Sequence, residues 1–443
     1  TAIPPERVAE LILAGLARYE ADEMRNALLS LFDVLNTPLD QRSRYLKDDL
    51  KAFPYTNGGL FEEKIEIPQF TEELKQTLLK NACLDFDWSE ISPTIFGAMF
   101  ESTLNPNTRR SGGMHYTSIA NIHKVIDPLF LNDLRQELDT ILEEKVERQR
   151  QKKLDAYQDK LASLTFLDPA CGSGNFLTET YLSLRRLENE VIRERHHGQS
   201  FFSFDAENII KVSIQQFYGI EINDFAVAVA TTALWISEAQ MLRETERIIK
   251  HEIDFLPLKS YTNIHEGNAL RMDWQSLVPA NLNYIMGNPP FVGANMMNDE
   301  QRSDLRFIFG TKWKNIGEMD YVTGWYMKAS RLMEGTNTRA ALVSTNSISQ
   351  GEQVANLWKP IMADGLQINF AYRTFRWDSE ATLKAHVHCI IVGFSYYDNK
   401  DRVIFDNDKT IKADNINAYL MDAPDVFVES HSKPLCDVPA IRK

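Results

Sequence analysis

From residue 164 onward the chain alternates short apolar stretches with longer segments of helical spacing, and no other feature narrows its possible folds as far. LTFLD precedes a helical pattern through residue 195, QFYGI one from 224 to about 241, NYIMG one near 318–333, and AALVS one near 352–362. This rhythm predicts a parallel sheet covered on both faces, because each crossover helix returns the chain over the sheet. INFAYRTFRW and AHVHCIIVGFSYY break it: they are strand-like with no helical pattern between them, and are expected as an antiparallel hairpin on the sheet edge. Residues 401–443 are polar and read as loop.

The preceding part differs. Residues 1–110 read as a helical domain, with Val8, Leu11, Ile12 and Leu16, then Leu28, Leu29, Leu31 and Leu35, at helical spacing. Residues 111–163 open on a loop with two glycines and continue as an amphipathic helix in SGGMHYTSIANIHKVIDPLFL. Residues 132–160 are so rich in Glu, Lys, Arg and Gln that a long solvated helix is expected there.

Composition sets outer limits. With 443 residues and 44% hydrophobic content, the chain has core for ~3 domains. A net charge of -14 argues against a surface that grips DNA everywhere, and leaves room for a local basic cleft. No apolar run approaches the ~20 residues of a membrane helix, and TAIPPERVAELILAGL lacks the basic start of a signal peptide. Cys83, Cys171, Cys389 and Cys436 form no CxxC pair, which suits a reduced, cytoplasmic protein without structural zinc. His386 and His388 alternate on a predicted strand without supporting carboxylates or thiols, so no metal is expected.

Four strand ends carry chemistry. LDPACGSGNF is a strand, a small-residue turn and a helix start; Gly172 and Gly174 permit unusual φ and close ligand approach. It lacks the Gly-Lys-Ser/Thr of a phosphate loop, and Leu177 stands where a pyrophosphate site has its third glycine. FYGIEIND puts Glu221 past the next strand, where an acid can bind both hydroxyls of a ribose. Alone, the turn serves equally with no ligand, and Glu221 as a solvated strand end. IHEGNALRMDW adds Asn268, with Ala269 as a flat apolar neighbour; that too is a turn if taken by itself. IMGNPPFVGA is the fourth: after an apolar strand, Pro289 and Pro290 fix a rigid corner between the Asn288 amide and the Phe291 ring.

Together DPACGSGNF, IEIND, EGNAL, NPPF and the upstream HYTS segment resemble the ordered motifs of the amino-group DNA methyltransferases, in the gamma arrangement of the adenine-N6 enzymes. Nearly the whole chain, including AYRTFRW, KAHVHCIIVGF and PDVFVESHSKPLCDVPAI, resembles the MmeI-like (type IIL/IIG) single-chain restriction–modification proteins. The resemblance implies a class I, Rossmann-like methyltransferase sheet over residues 164–400, a helical spacer before it, and a link from 401 toward a target-recognition domain. It implies S-adenosyl-L-methionine as cofactor, with Asp168, Cys171, Gly172 and Gly174 on the methionine side, Tyr116 and Thr117 closing over it, and Ala170 and Asn175 also among the cofactor-binding residues. Glu221 and Ile222 would hold the ribose, and Asn268 and Ala269 the adenine. The expected partner is double-stranded DNA, with a nuclease domain upstream. Glu62-Glu63-Lys64 echoes a nuclease motif, but the spacing is common and the context helical, so no nuclease site is expected in this chain.

The chemistry of Asn-Pro-Pro-Phe follows. The exocyclic amine of adenine has its lone pair delocalised into the ring. The Asn288 oxygen can accept one of its hydrogens and the Pro289 carbonyl the other, with Pro290 stiffening the corner. A base inside a duplex is out of reach and must flip out. Phe291 is one stacking candidate; Phe375 and Trp377, on one face of a predicted strand, are another, or else ordinary core aromatics. With no Pro-Cys pair, cytosine-C5 chemistry lacks its nucleophile. Methylation of RNA or of protein glutamine, and a catalytically silent DNA-docking module, are the alternatives.

Overall fold

The computed structural model describes residues 15–51, 53, 66–84, 92, 117–195, 209–251, 263–310, 313, 315–376, 388–397 and 399–429. Ahead of the sheet come α1 (Met24–Asn36), α2 (Ile119–Ile126), α3 (Asn132–Leu142) and α4 (Glu147–Ser163). Then follow β1 (Phe166–Asp168), α5 (Asn175–Arg195), β2 (Phe217–Glu221), α6 (Asp224–Ile249), β3 (Asn263–Glu266) and β4 (Tyr284–Gly287). After these come α7 (Asp299–Phe309), α8 (Thr323–Met333), β5 (Arg339–Thr345), β6 (Gln367–Arg376), β7 (His388–Ser395), β8 (Arg402–Asp406) and β9 (Lys409–Ala413).

The strands form one sheet in the order β3-β2-β1-β4-β5-β7-β6-β8-β9. From β3 to β5 every pairing is parallel, so the alternation gives the expected doubly wound half. Its winding reverses between β1 and β4, where such sheets leave a crevice at their carboxyl ends. These strands are apolar because both faces are covered. Leu167 joins Ile285, Leu342 and Trp325 in a core on one face, and Phe166 joins Phe217, Phe130 and Met286 in a core on the other. Phe166 stacks on Phe217 with ring centroids 5.1 Å apart.

The charge-rich segment 132–160 is not a solvated connector. It forms α3 and α4, and their buried stripes, Leu134, Leu138 and Ile141 with Leu154, Tyr157 and Leu161, enter the same core as Phe166. The Tyr157 hydroxyl also donates to the Leu134 carbonyl at 2.9 Å. The helix after β2 runs to Ile249 rather than to about 241. It has 26 residues, and its most apolar 18-residue stretch has a mean hydropathy of 1.3, long and apolar enough to cross a bilayer by length and composition. Here Val229, Ala230, Ala233 and Leu234 are buried, and the helix packs beside α5, β2 and β3.

The antiparallel pair is present: β7 lies between β5 and β6, antiparallel to both. The sheet then continues, with β8 parallel to β6 and β9 turning back on β8. Residues 402–413, expected as loop, are therefore strands, and they form the rim beyond the β6–β7 pair. RVIFD is short and bracketed by charge, which hides its period. What holds it is tertiary: Ile404 is buried, and Phe405 stacks on Tyr372 at 4.2 Å. In the amino-terminal region α1 buries Met24, Ala27, Leu31, Val34 and Leu35, while Leu29, expected in that stripe, is exposed.

Candidate active site

A cavity of about 630 Å³ opens at the carboxyl ends of β3, β2, β1 and β4. Its wall follows the strand order: Gly267 to Ala269 after β3, Glu221 and Ile222 at β2, Asp168 to Ser173 after β1, and Asn288 after β4. Three strand intervals at ~4.8 Å separate its ends by about 14 Å.

The small-residue turn is held by the neighbouring strand. The Cys171 N–H donates to the Ile220 carbonyl (3.1 Å), and the Gly172 N–H to Glu221 Oε2 (3.0 Å). Glu221 Oε1 accepts from the Asn223 N–H (3.0 Å), so the acid braces the turn and the start of α6. The two glycines differ. Gly172 has φ 53° and open space where a β-carbon would stand. Gly174 has φ 81°, and a β-carbon there would lie 2.9 Å from Ala230 Cβ. Gly172 therefore lines the cavity, while Gly174 seats the turn on α6.

The acids are costly where they sit. Burial pushes the Asp168 carboxyl up to about 8, against the Ala170 N–H bond and with the Glu221 charge adding to the rise. Burial also raises Glu221, and raises the Cys171 thiol well above its usual range. Gly287 makes room for this arrangement, since a β-carbon there would lie 2.4 Å from Asp168 Oδ1. Asp168 thus sits against Gly287, the residue before Asn288, across adjacent strand ends.

Asn288 has a fixed orientation. Its Nδ2 donates to Thr117 Oγ1 at 3.3 Å, while its buried Oδ1 has no hydrogen-bond partner among the described residues. Ser173 Oγ and Asn175 Oδ1, from the turn, are buried and without partners in the same sense. All three residues line the cavity.

The β3 end has a wall that the sequence motifs do not contain. Asn268 Oδ1 accepts from the Leu270 N–H (2.9 Å), and its Nδ2 donates to Asp304 Oδ2 (2.9 Å). Asp304, on α7, also accepts from Tyr321 Oη (2.8 Å) and Arg271 Nε (2.6 Å). Tyr321 meets Trp325 edge-on at 5.2 Å, and the Trp325 indole donates to the Pro169 carbonyl (3.0 Å). α7 begins with a capping box between Asn298 and Gln301, a readable signal that locates the helix but not its role.

Thr117, Asp168, Ala170, Cys171, Gly172 and Asn175 thus share this cavity, as do Glu221, Ile222, Asn268, Ala269, Asn288 and Pro290. Gly174 lies behind the wall. Pro289 is buried, and half-buried Phe291 packs against both core clusters. Phe375 does not line the cavity; it is half-buried at the same carboxyl end of the sheet, with Lys124 Nζ 4.8 Å above its ring. His388 is exposed at the start of β7. Tyr116, Trp377, His386 and Glu62-Glu63-Lys64 lie outside the described residues.

Two family descriptions match the chain: "MmeI, DNA-methyltransferase domain" over residues 143–406 and "MmeI, helicase spacer domain" over residues 4–61. DNA methyltransferase A of Bacillus subtilis (strain 168) is 38% identical over 445 aligned positions, covering 96% of this chain and 48% of that protein. A putative type II restriction enzyme and methyltransferase of Methanocaldococcus jannaschii is 25% identical, over 71% of this chain and 30% of its own length. The structure of the type IIL restriction-modification enzyme MmeI in complex with DNA superposes with a TM-score of 0.89 at 40% identity, covering 97% of this chain and 57% of that one. The chain thus spans about half the length of the first of these relatives.

Proposed function

The chain belongs to the family of the MmeI DNA-methyltransferase domain, and from that premise we propose that it methylates adenine N6 in DNA, on a flipped-out base, as part of a restriction–modification protein. One observation supports this most. Thr117 ties down the donor end of the Asn288 amide and leaves the acceptor end without a partner among the described residues, in a residue that lines the cavity. An amine entering there meets an oxygen that does not have to turn. The neighbouring Pro289 carbonyl supplies a second acceptor on a corner made stiff by Pro290. Together they draw hydrogens away from a planar amine and favour positive charge developing on its nitrogen.

The cavity fits S-adenosyl-L-methionine. Two buried acids, Asp168 and Glu221, suit a ligand carrying a sulfonium and a ribose, and the Ser173 and Asn175 oxygens, without partners among the described residues, suit the ligand's ammonium. Bound, that cofactor supplies an electrophilic methyl group. Asp168, Ala170, Cys171, Gly172 and Asn175 would hold its amino-acid end, with Tyr116 and Thr117 closing over it and Gly174 setting the turn; Glu221 and Ile222 would hold the ribose, and the Asn268–Ala269 turn its base. Phe291, with Phe375 and Trp377, would stack on the extruded adenine. We place the protein in the cytoplasm with its DNA. Because the chain spans about half of its relatives, a nuclease domain before it and a target-recognition domain after it complete the proposal.

Transfer of tritiated methyl from S-adenosylmethionine to DNA, RNA and ribosomal protein tests the reading. Label in DNA, recovered as N6-methyladenine, is the expected result; label in RNA or protein alone overturns it.

A further inference from the structure

The β3 end of the cavity carries a built acceptor. Asp304 is 5% exposed, lines the cavity, and receives one hydrogen bond on Oδ1 and two on Oδ2. A carboxylate offers about four lone-pair positions, so among the described residues Oδ1 keeps one. The three donors come from the turn after β3 and from the approach to α8, and each is itself fixed. Arg271 also donates to Ser303 Oγ (2.9 Å) and lies over the Phe307 ring at 4.7 Å. The Tyr321 phenol is pushed upward by burial and by its bond to Asp304, so it stays a donor. Asn268 has both ends of its amide occupied within the protein.

The strand order says what this acceptor meets. With the reacting end at Asn288 after β4 and a ribose at Glu221 after β2, the base of a nucleoside ligand falls at the last strand end, β3, where Asp304 stands. Resting on the S-adenosyl reading above, we infer that Asp304 selects the cofactor's base by accepting a hydrogen bond from its exocyclic amine. A 6-aminopurine presents an N–H to that oxygen. A 6-oxopurine presents a carbonyl, which sets its lone pairs against a carboxylate that cannot turn away. Asn268 is then a positioning residue for Asp304 rather than the group that reads the base.

The test is calorimetric and needs no turnover. S-adenosylhomocysteine and S-inosylhomocysteine are titrated into the full-length protein and into its Asp304→Asn variant. The wild type should prefer the adenosyl ligand by about 10- to 100-fold, the usual range for a hydrogen bond to a charged acceptor. Asp304→Asn, whose amide can donate as well as accept, should largely erase the preference. Equal binding of the two ligands by the wild type overturns the inference, whether or not the variant folds. Equal losses for both ligands in the variant overturn it too, because Asp304 would then only shape the wall. If the wild type binds neither ligand, the cofactor reading itself fails, and this inference with it.

Discussion

The two glycines of the small-residue turn predict opposite phenotypes, and the difference can be worked from their surroundings. In both Gly172→Ala and Gly174→Ala a side chain enters the left-handed region, at φ 53° and 81°, at a cost of ~1–2 kcal/mol each. For Gly172 that is the whole stability cost, because its β-carbon meets nothing within 4 Å. For Gly174 the β-carbon lies 2.9 Å from Ala230 Cβ and 3.1 Å from Ala230 Cα. Backbone cannot step aside as a side-chain tip can, so overpacking adds ~1–3 kcal/mol. Gly174→Ala should therefore lose about 2–5 kcal/mol, and Gly172→Ala about 1–2 kcal/mol. At ~2–4 °C per kcal/mol for a domain of this size, thermal unfolding separates them. Ligand binding should rank the other way: the Gly172 methyl group projects into the space a ligand needs, whereas a folded Gly174→Ala protein keeps that space. Calorimetry with S-adenosylhomocysteine below the melting range measures it. Equal destabilisation together with unchanged affinity in Gly172→Ala would refute the assignment of one glycine to the ligand and the other to α6.

Further outcomes are expected. Asn288→Ala should abolish methyl transfer to DNA while leaving S-adenosylhomocysteine affinity within about twofold, since it removes an acceptor for the target amine; surviving transfer would exclude that role. Thr117→Val removes the bond that orients Asn288, worth ~1 kcal/mol, and should cut kcat about fivefold at saturating cofactor. Asp168 holds a proton in the folded, ligand-free protein that the unfolded chain releases, because burial lifts it from 3.8 to about 8. Stability should therefore fall as pH rises from about 4 to about 8 and level off above. A sulfonium favours the ionised acid, so S-adenosylmethionine should expel a proton on binding near pH 7 and bind more tightly toward pH 8, and the neutral thioether less so. Titrations in buffers of different ionisation enthalpy count that proton, and a count of zero separates Asp168 from the sulfonium. Phe375→Ala should weaken DNA binding by the ~1–3 kcal/mol of one stacked base and spare cofactor binding; unchanged DNA affinity would leave Phe375 as a partner for Lys124 and the core.

What could be read beforehand followed the chain's local grammar. In the parallel half, β1 to β4 each end in a compact motif, where a short apolar run gives way to Gly, Pro, Asn or an acid. Those motifs meet because parallel strands place all their carboxyl ends on one side. Asp304, Arg271 and Tyr321 escaped notice for the opposite reason: they come from three separate segments, and each is unremarkable in its own. In α3 and α4 charges outnumber a sparse apolar stripe that only the sheet makes sense of, so their sequence looks solvated. β8 and β9 were hidden by brevity; Phe405 earns its place from Tyr372, a neighbour more than thirty positions away, as the 4.2 Å stack shows.

The contact between Asn288 and Thr117 joins residues 171 positions apart. Every strand of the ligand-binding half except β5 lies inside that span, so the bond closes a loop that contains β1 to β4. Parallel pairing across long loops is a slow part of assembly. A chain still emerging from the ribosome, or one trapped with a mispaired strand, would hold its cofactor motifs yet leave the amide unaligned. On the proposed function, methyl transfer would then be a stricter report of correct folding than cofactor binding.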